Sequence, residues 1–282
     1  PHTLGLSYYL AFCMTSLAIG GSHLYYEFTQ GNDTCVVLSH GYGMSGEAWQ
    51  ATTSQLVAAG YSVLTYDQRC CGRSGMDFDD VTISAQGSDI AALCDHLKLQ
   101  NIVLNGWSLG GAIVVDAASK LGIRVAGLVL TGGATPRYTQ AEGFPHGGQA
   151  ADVLGTVAAI RADRQTFLKG LYYEGVFVAA VDESVKERCY QIALQADPAA
   201  DDSLGDLAEL DQRDLMAALT CPALIIHGLN DGVVPIDIGR FAHSLLAHST
   251  LHEIDDCGHA PFLEHPAEYH GQLLDFLKGI AS

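Results

Sequence analysis

The sequence of 282 residues predicts an α/β fold, in which helices cover both faces of a mostly parallel sheet. Strand-like and helix-like segments alternate along most of the chain, which is the pattern of repeated β-α units. The length suits one such domain with an insertion better than two independent domains. Hydrophobic residues make up 48% of the chain, which is enough to fill a large core.

Eight apolar or alternating segments predict the strands of this sheet. Two of them form an early pair, near Leu17 and at Leu24–Tyr26. The six that follow are Cys35–Leu38, Val63–Tyr66, Ile102–Leu104, Leu128–Leu130, Leu224–Ile226 and Leu251–Ile254. The segments between them predict packing helices. For example, four residues fall on one helical face because they are spaced by seven, three and four residues: Ile83, Ile90, Leu93 and Leu97.

The chain is strongly acidic. It has 14 Lys and Arg residues against 32 Asp and Glu residues, so its formal net charge is -18 at pH 7. Such a charge favours solubility and repels polyanions, which makes nucleic acid and anionic membranes poor partners. We therefore expect a small-molecule partner and no stable association with a membrane.

Residues 4–19 carry no charge and could be read as a signal-peptide core or a short membrane segment. The segment lacks a basic n-region and is rich in Ser, Thr and Tyr, which argues against both readings. The run Met14–Leu17 resembles a natural start directly before the first strand. We expect residues 1–13 to be an upstream extension that is not native, and the protein to be cytoplasmic.

Eight cysteines stand at positions 13, 35, 70, 71, 94, 189, 221 and 257. They include no C-x-x-C pair and no spacing typical of a disulfide framework or a zinc site. A site built from several histidines would lack an acidic or cysteine ligand to complete a recognised spacing; the histidines concerned are His248, His252, His259 and His265. The sequence therefore predicts no metal site, and most cysteines are expected to be small buried residues.

The segment Gly106-Trp107-Ser108-Leu109-Gly110 carries the clearest sign of catalysis. It follows the apolar run 101–105 and precedes a helical stretch of small residues at 111–120. This order places Ser108 on a sharp turn from a strand to a helix, which is the geometry of a nucleophile elbow. The glycines leave room for the turn, and the helix points its N-terminal amides at the reaction site. Ser108 is therefore the predicted nucleophile.

A nucleophilic serine on such a turn needs a base that accepts its proton and an acid that orients the base, in the order Ser, Asp or Glu, His. Asp231 follows the apolar run 223–227 by a few residues. His259 follows the alternating segment 251–254 in the same way. Both residues are therefore predicted at the carboxyl ends of strands, as the acid and the base.

Three other aspartates are alternatives for the acid. Asp255 and Asp256 lie close to His259 in the loop that holds the histidine itself. Asp237 is expected to start a helix after Pro235. Asp231 is the preferred acid on these grounds.

The oxyanion hole is predicted from two backbone N–H groups, because the tetrahedral intermediate of acyl transfer carries a negative oxygen. Leu109 directly follows the nucleophile and supplies the first N–H group. The second is expected from the loop His40-Gly41-Tyr42-Gly43, which directly follows the apolar run 35–39. Tyr42 is the candidate in that loop, and His40 is expected to brace it by hydrogen bonds.

Together these motifs resemble the serine hydrolases of the α/β-hydrolase superfamily over residues 16–280. Within it the chain is similar to small carboxylesterases, which include the pimeloyl-acyl-carrier-protein methyl esterases, the acyl-homoserine lactonases and the cofactor-free chloroperoxidase-type esterases. The resemblance rests on the loop at 40–43, the loop at 67–74, the elbow, Asp231 and His259. It implies an α/β-hydrolase fold, the triad of Ser108, Asp231 and His259, the oxyanion donors Tyr42 and Leu109, and no cofactor.

One position departs from the family pattern. The loop at 67–74 reads D-x-R-C-x-G-x-S, and Cys70 stands where the family has glycine. This departure leaves the conformation of that loop open and does not touch the triad.

Regular alternation lapses between Pro136 and about Asp211, where a Gly-rich loop at 142–148 leads into segments of helical pattern. We expect a helical cap at 136–211, inserted after the sixth strand, with the core formed by residues 1–135 and 212–282. The cap lies between the elbow and the acid in sequence, so we expect it to roof the site. The residues expected to contact substrate are Trp107, Phe144, Phe167 and Tyr172, although the aromatic residues of the cap could instead only pack it onto the core.

These observations predict a hydrolase that cleaves a carboxylic ester with a medium-sized or apolar acyl group. A lactone, including an acyl-homoserine lactone, is the alternative substrate, and cleavage of another acyl or carbon–carbon bond is also open, because one fold hosts many chemistries. A small-molecule receptor of the same fold is the alternative outside catalysis.

Overall fold

The computed structural model describes residues 15–281, so the extension expected at 1–13 lies outside the described residues. All of the predicted strands are present and form one sheet of eight strands. They are β1 (Thr15–Ile19), β2 (Ser22–Thr29), β3 (Thr34–Ser39), β4 (Ser62–Tyr66), β5 (Asn101–Trp107), β6 (Val125–Thr131), β7 (Ala223–Gly228) and β8 (Ser249–Ile254). The fold is therefore the expected α/β-hydrolase fold.

The strands follow the order β1-β2-β4-β3-β5-β6-β7-β8 across the sheet. The pairs β1–β2 and β2–β4 are antiparallel, and the remaining neighbours are parallel. The chain leaves β3 toward β4 on one side and returns to β5 on the other, which makes the edge between β3 and β5 a topological switch point. Ligands of open α/β sheets bind at such a point, beyond the carboxyl ends of the strands. Ser39 pairs with Gly106 there, so the loop at 40–43 and the elbow emerge side by side.

Helices cover both faces of the sheet. In chain order they are α1 (Gln50–Ala58), α2 (Ile83–His96), α3 (Leu109–Leu121), α4 (Ala150–Ala162), α5 (Arg164–Gly170), α6 (Glu183–Ala193), α7 (Asp201–Asp206), α8 (Arg213–Ala217), α9 (Ile236–Leu245), α10 (Pro261–Glu264) and α11 (Pro266–Ala281). Helices α1 and α11 pack together on one face, and α2, α3, α8 and α9 form the other layer.

Helix α2 shows why these segments fold as predicted. The Thr82 side chain caps its N-terminus by accepting a hydrogen bond from the N–H group of Ala85. Three residues of the predicted apolar face, Ile83, Ile90 and Leu93, are completely buried against the core, and the fourth, Leu97, lies just past the end of the helix and is partly buried. Within residues 15–281, no helix is both long enough and apolar enough to span a membrane.

Helices α4 to α7 lie between β6 and β7, and we propose residues 136–211 as the cap. Its two connections to the core are adjacent, because the Gln212 N–H group donates to the Pro136 carbonyl at 2.8 Å. The Thr135 hydroxyl donates to the Gln212 side-chain oxygen at 2.7 Å, and the Gln212 amide donates to the Ala112 carbonyl in α3 at 2.9 Å. Gln212 therefore links both connections between the cap and the core to α3, the helix that follows the elbow.

Candidate active site

Ser108 lies on the sharp turn that the sequence predicts, between the end of β5 and the start of α3. Its backbone has φ 58° and ψ −122°, a conformation that is costly for any residue with a side chain. The turn holds it there, since the Ser108 carbonyl accepts from the N–H groups of Gly111 and Ala134, both at 2.9 Å. A Cβ atom at Gly106 would lie 2.2 Å from the Gly110 carbonyl oxygen, so this flanking position requires glycine.

Asp231 and His259 are brought together because β7 and β8 are parallel neighbours and both residues follow the carboxyl ends of these strands. The His259 Nδ1 atom lies 2.8 Å from the Asp231 Oδ2 atom, and both side chains are buried. A carboxylate can only accept, so Nδ1 carries the proton and Nε2 is left as the atom that can accept one. The alternative acids Asp237, Asp255 and Asp256 are exposed.

The environment of Asp231 keeps its carboxyl group ionised. The Oδ1 atom accepts from the N–H groups of Val233 at 2.9 Å and Val234 at 2.8 Å. Burial raises the pKa of this carboxyl group, but the attraction of His259 and hydrogen bonds from His227 and His259 outweigh it and hold the pKa well below its usual range. An ionised acid is what a catalytic histidine needs to keep its tautomer.

His227 is a neighbour of the acid that sequence reasoning missed. It is completely buried in β7, and its Nε2 atom lies 3.3 Å from Asp231 Oδ2 and 2.8 Å from the Val234 carbonyl oxygen. The only signal in the sequence is a polar residue at the end of the apolar run 223–227. His227 therefore adds a second imidazole to the carboxylate that orients His259.

The loop at 40–43 is braced by His40, as the sequence predicts. The His40 Nδ1 atom lies 2.8 Å from the Gly41 carbonyl oxygen, and Nε2 accepts from the Gln68 N–H group at 2.9 Å. Burial lowers the pKa of His40 to about 4, which fits the neutral ring that this pair of bonds requires. A Cβ atom at Gly41 would lie 3.3 Å from the Ser108 Cβ atom, so the loop runs directly beside the elbow.

The Tyr42 side chain ties this loop to the cap. Its hydroxyl donates to the Asp201 Oδ1 atom in α7 at 2.5 Å, and the Arg164 Nη1 atom donates to the same oxygen at 2.5 Å. Asp201 is completely buried, and this pair satisfies its Oδ1 atom, whereas its Oδ2 atom has no hydrogen-bond partner among the described residues. The backbone N–H group proposed for the oxyanion is thus carried by a residue anchored in the cap.

A second tie joins the cap to the loop of His259. The Glu264 carboxylate accepts from the N–H groups of Val178 at 2.8 Å and Ala179 at 3.0 Å, which belong to the cap. It also accepts from Gly258 at 2.8 Å and Ala260 at 3.0 Å, which flank His259. Sequence reasoning did not find Glu264, because nothing local marks a carboxylate that binds backbone groups of two distant segments.

A cavity of about 100 Å³ opens beside Ser108, under the cap. Three of the predicted contact residues, Trp107, Phe167 and Tyr172, line it together with Tyr42, Ser108 and His259. The further lining residues are Gly41, Tyr138, Thr156, Leu171, Val176, Leu204 and Val233.

The expectation for Phe144 is wrong. The Ala141 and Phe144 backbones bond to each other in a tight turn, and the Phe144 ring is completely buried away from the cavity. It packs edge-on against His146 and against Phe241 of α9, with ring centroids 5.2 and 4.9 Å apart. Phe144 therefore packs the base of the cap onto the core.

The loop at 67–74 keeps a glycine-like backbone despite its cysteine. Cys70 has φ 62°, which is the left-handed region that favours glycine. Its carbonyl accepts from the Asp197 N–H group of the cap at 2.9 Å. Cys70 and its neighbour Cys71 are buried free thiols. Among residues 15–281, no cluster of His, Cys, Asp or Glu is arranged to hold a metal ion.

The comparisons with known proteins agree with this fold. The family model for the alpha/beta hydrolase fold matches residues 34–266. A pimeloyl-[acyl-carrier protein] methyl ester esterase of Aliivibrio fischeri is 30% identical over 267 residues, which cover 90% of this chain and 97% of that protein. The solved structure of an esterase from Exiguobacterium antarcticum superposes with a TM-score of 0.90 at 28% identity, covering 94% of this chain and 99% of that one.

A bromoperoxidase structure from Bacillus anthracis is similar as well, with a TM-score of 0.86 at 32% identity over 91% of this chain and 96% of that one. The chain therefore belongs to the α/β-hydrolase family. Within the family it stands among esterases and related hydrolases.

Proposed function

We propose that this hydrolase cleaves a carboxylic ester through an acyl-enzyme intermediate, with Ser108 as nucleophile, His259 as base and Asp231 as the orienting acid. The observation that carries the proposal is the 2.8 Å bond between His259 and Asp231, on a cavity that Ser108 also lines. The strained turn at Ser108 supports it, since a costly backbone conformation at a candidate nucleophile is typical of a functional site.

In the first half-reaction His259 Nε2 accepts the Ser108 hydroxyl proton while the serine oxygen attacks the ester carbonyl. The oxygen anion of the tetrahedral intermediate is stabilised by the N–H groups of Tyr42 and Leu109. The imidazolium, stabilised by ionised Asp231, then gives its proton to the leaving alcohol. In the second half-reaction a water molecule, activated by His259, attacks the acyl-enzyme and releases the acid. The two half-reactions together use only protein groups and water.

The cavity favours an ester with a compact, uncharged group. Its volume of about 100 Å³ is small beside the roughly 300–1,000 Å³ of ordinary ligand pockets. The names of the similar esterases support an ester as substrate. A lactone is an internal ester that the same residues could open, and it remains the alternative substrate.

The test is hydrolysis of a series of p-nitrophenyl esters from acetate to decanoate, beside a set of lactones. We expect the highest kcat/KM for short acyl chains and no turnover in Ser108→Ala, whose circular dichroism should match that of the wild type. Turnover that survives in Ser108→Ala would overturn the nucleophile. Tight ligand binding without multiple turnover would instead favour the receptor.

A further inference from the structure

The polar side chains around the cavity are almost all engaged within the protein. Apart from Ser108 and His259, five side chains with a polar hydrogen line it among the residues that the structure describes. Four of them donate it to another protein group: Trp107 to the His259 carbonyl (2.8 Å), Tyr42 to the Asp201 carboxylate (2.5 Å), Tyr138 to the Val233 carbonyl (2.7 Å) and Thr156 to the Asp152 carbonyl (2.9 Å). Few hydrogen-bond donors in this cavity are therefore left to bind a ligand.

Tyr172 is the exception. In the part of the chain that the structure describes, its hydroxyl makes no hydrogen bond. The residue is only 2% exposed and lines the cavity, and its hydroxyl is not among the fully buried polar atoms without a partner, so it keeps contact with open space, which the cavity provides. A hydroxyl that makes no bond within the protein and keeps contact with a cavity is available to a bound molecule.

The backbone around Tyr172 is unusual as well. Residues Leu171–Gly175 form a π-helical turn directly after α5, closed by the Val176 N–H group donating to the Leu171 carbonyl at 2.9 Å. Such wide turns are rare and occur frequently at functional sites. Here the turn presents Leu171, Tyr172 and Val176 to the cavity together.

We propose that the Tyr172 hydroxyl is the recognition group of this cavity and that the substrate carries an uncharged acceptor oxygen, such as a ketone or ether, on the part that lies there. This inference rests on the proposed function. Burial raises the pKa of the Tyr172 phenol well above its usual value, so the group is a neutral donor at physiological pH. An acceptor oxygen is its natural partner.

The lining of the cavity is the reason for proposing that the acceptor oxygen of the substrate is uncharged. Among the described residues that line it there is no Lys, Arg, Asp or Glu, and the nearby Arg164 is already paired with Asp201, so a carboxylate or an ammonium group would enter without a free counter-ion. An alkyl group of the same size would enter readily but would leave the phenol unpaired. Discrimination against such an analogue is roughly 10- to 100-fold when a buried donor is left without a partner.

The experiment compares keto esters with matched alkyl esters. On the acyl side these are methyl 3-oxopentanoate and methyl 4-oxopentanoate against methyl pentanoate, and on the alcohol side 3-oxobutyl acetate against butyl acetate. For wild type and Tyr172→Phe, kcat/KM is measured by titration of the released acid. We expect the wild type to prefer at least one keto ester and Tyr172→Phe to lose that preference by roughly 10- to 100-fold, with the alkyl ester little affected.

Two tyrosines provide matched controls. Tyr138→Phe removes a hydroxyl from the same cavity, but one already bonded to Val233, so the ratio of keto to alkyl ester should stay at the wild-type value. Tyr173→Phe removes the neighbouring hydroxyl, which bonds to Glu187 on the cap, and should leave every rate unchanged. Because Tyr172→Phe breaks no protein hydrogen bond, its Tm should equal or exceed that of the wild type.

Binding separates this inference from the proposed reaction. Trp107 lines the cavity, so its fluorescence should report the same esters binding to Ser108→Ala with and without Tyr172→Phe. Tyr172-dependent binding of a keto ester without wild-type turnover would refute the reaction and support the recognition. An equal effect of Tyr172→Phe on keto and alkyl esters, in rate and in binding, would overturn the recognition and leave the reaction standing.

Discussion

The backbone N–H group of His259 donates to the carbonyl of Val176, and the two atoms are 2.8 Å apart. Val176 belongs to the proposed cap, so the cap holds the candidate base directly by its main chain. The Glu264 carboxylate adds bonds to Val178 and Ala179 on the cap and to the residues that flank His259. The cap segment at 176–179 and the loop of His259 therefore form one hydrogen-bonded unit.

Glu264 should accordingly act as a positioning residue for His259. In Glu264→Ala four backbone N–H groups lose their acceptor, and we expect kcat to fall about 100-fold, because small displacements of a catalytic group are costly. Glu264→Gln keeps one acceptor oxygen and should lose less. The exposed Glu268→Gln on α11 is the control. Steady-state kinetics check this, and equal rates in all three variants would refute the role.

The tie between Tyr42 and Asp201 should matter for kcat more than for KM. Tyr42→Phe leaves the backbone N–H group in place but removes the 2.5 Å bond to the cap. Because an oxyanion donor acts mainly in the transition state, we expect kcat to fall about 10-fold with KM nearly constant. Kinetics on one p-nitrophenyl ester, with Asp201→Asn as the partner variant, test this. A change in KM alone would assign Tyr42 to substrate binding.

The candidate triad should behave as a unit. We expect Ser108→Ala and His259→Ala each to lose nearly all activity, and the double variant to lose no more than either one. Asp231→Asn should reduce kcat by roughly 10,000-fold, because the amide permits the wrong tautomer of His259. The control is Asp237→Asn, an exposed aspartate on α9. Wild-type rates in Asp231→Asn would show that another residue is the acid.

His40 should make the protein sensitive to acid. Burial lowers the pKa of His40 to about 4 from the ordinary 6.5, so below pH 6.5 the unfolded chain binds the proton first. The free energy of unfolding should therefore fall between pH 6.5 and 4, by on the order of 3 kcal/mol from this group. Urea unfolding across that range measures the slope.

The control for this pH dependence of the free energy of unfolding is His40→Asn, which removes the titrating ring. Its curve should be shallower than that of the wild type, whereas the exposed His248→Asn should keep the wild-type slope. Parallel curves for wild type and His40→Asn would mean that acid sensitivity arises elsewhere.

The sheet and the elbow could be predicted because their signals are local. Each predicted strand is an apolar or alternating run, and Ser108 is marked by the glycines on either side of its turn. Asp231 and His259 could be paired in advance only because strand ends of a parallel sheet meet at one edge. The chain order then assigns them the roles of acid and base.

The features that were missed depend on contacts between distant residues. The bond from Val178 to Glu264 joins positions 86 residues apart, and no local pattern marks it. Phe144 shows the converse, since an aromatic residue in the cap segment looks the same in sequence whether it faces a cavity or the core. The free hydroxyl of Tyr172 is defined by the bonds that its neighbours make, which only the folded arrangement determines.

Gln212 holds the two connections between the cap and the core next to each other. If these were the only ties, the cap could be exchanged without disturbing the core. The bonds of Tyr42 to Asp201 and of His259 to Val176 change that, because they tie two residues of the proposed chemistry to the cap. A chimaera that received the cap of a relative would inherit its substrate preference only if that cap offered a carboxylate in place of Asp201 and a carbonyl in place of Val176. We therefore expect these two bonds to limit how far the cap could change without impairing the proposed chemistry.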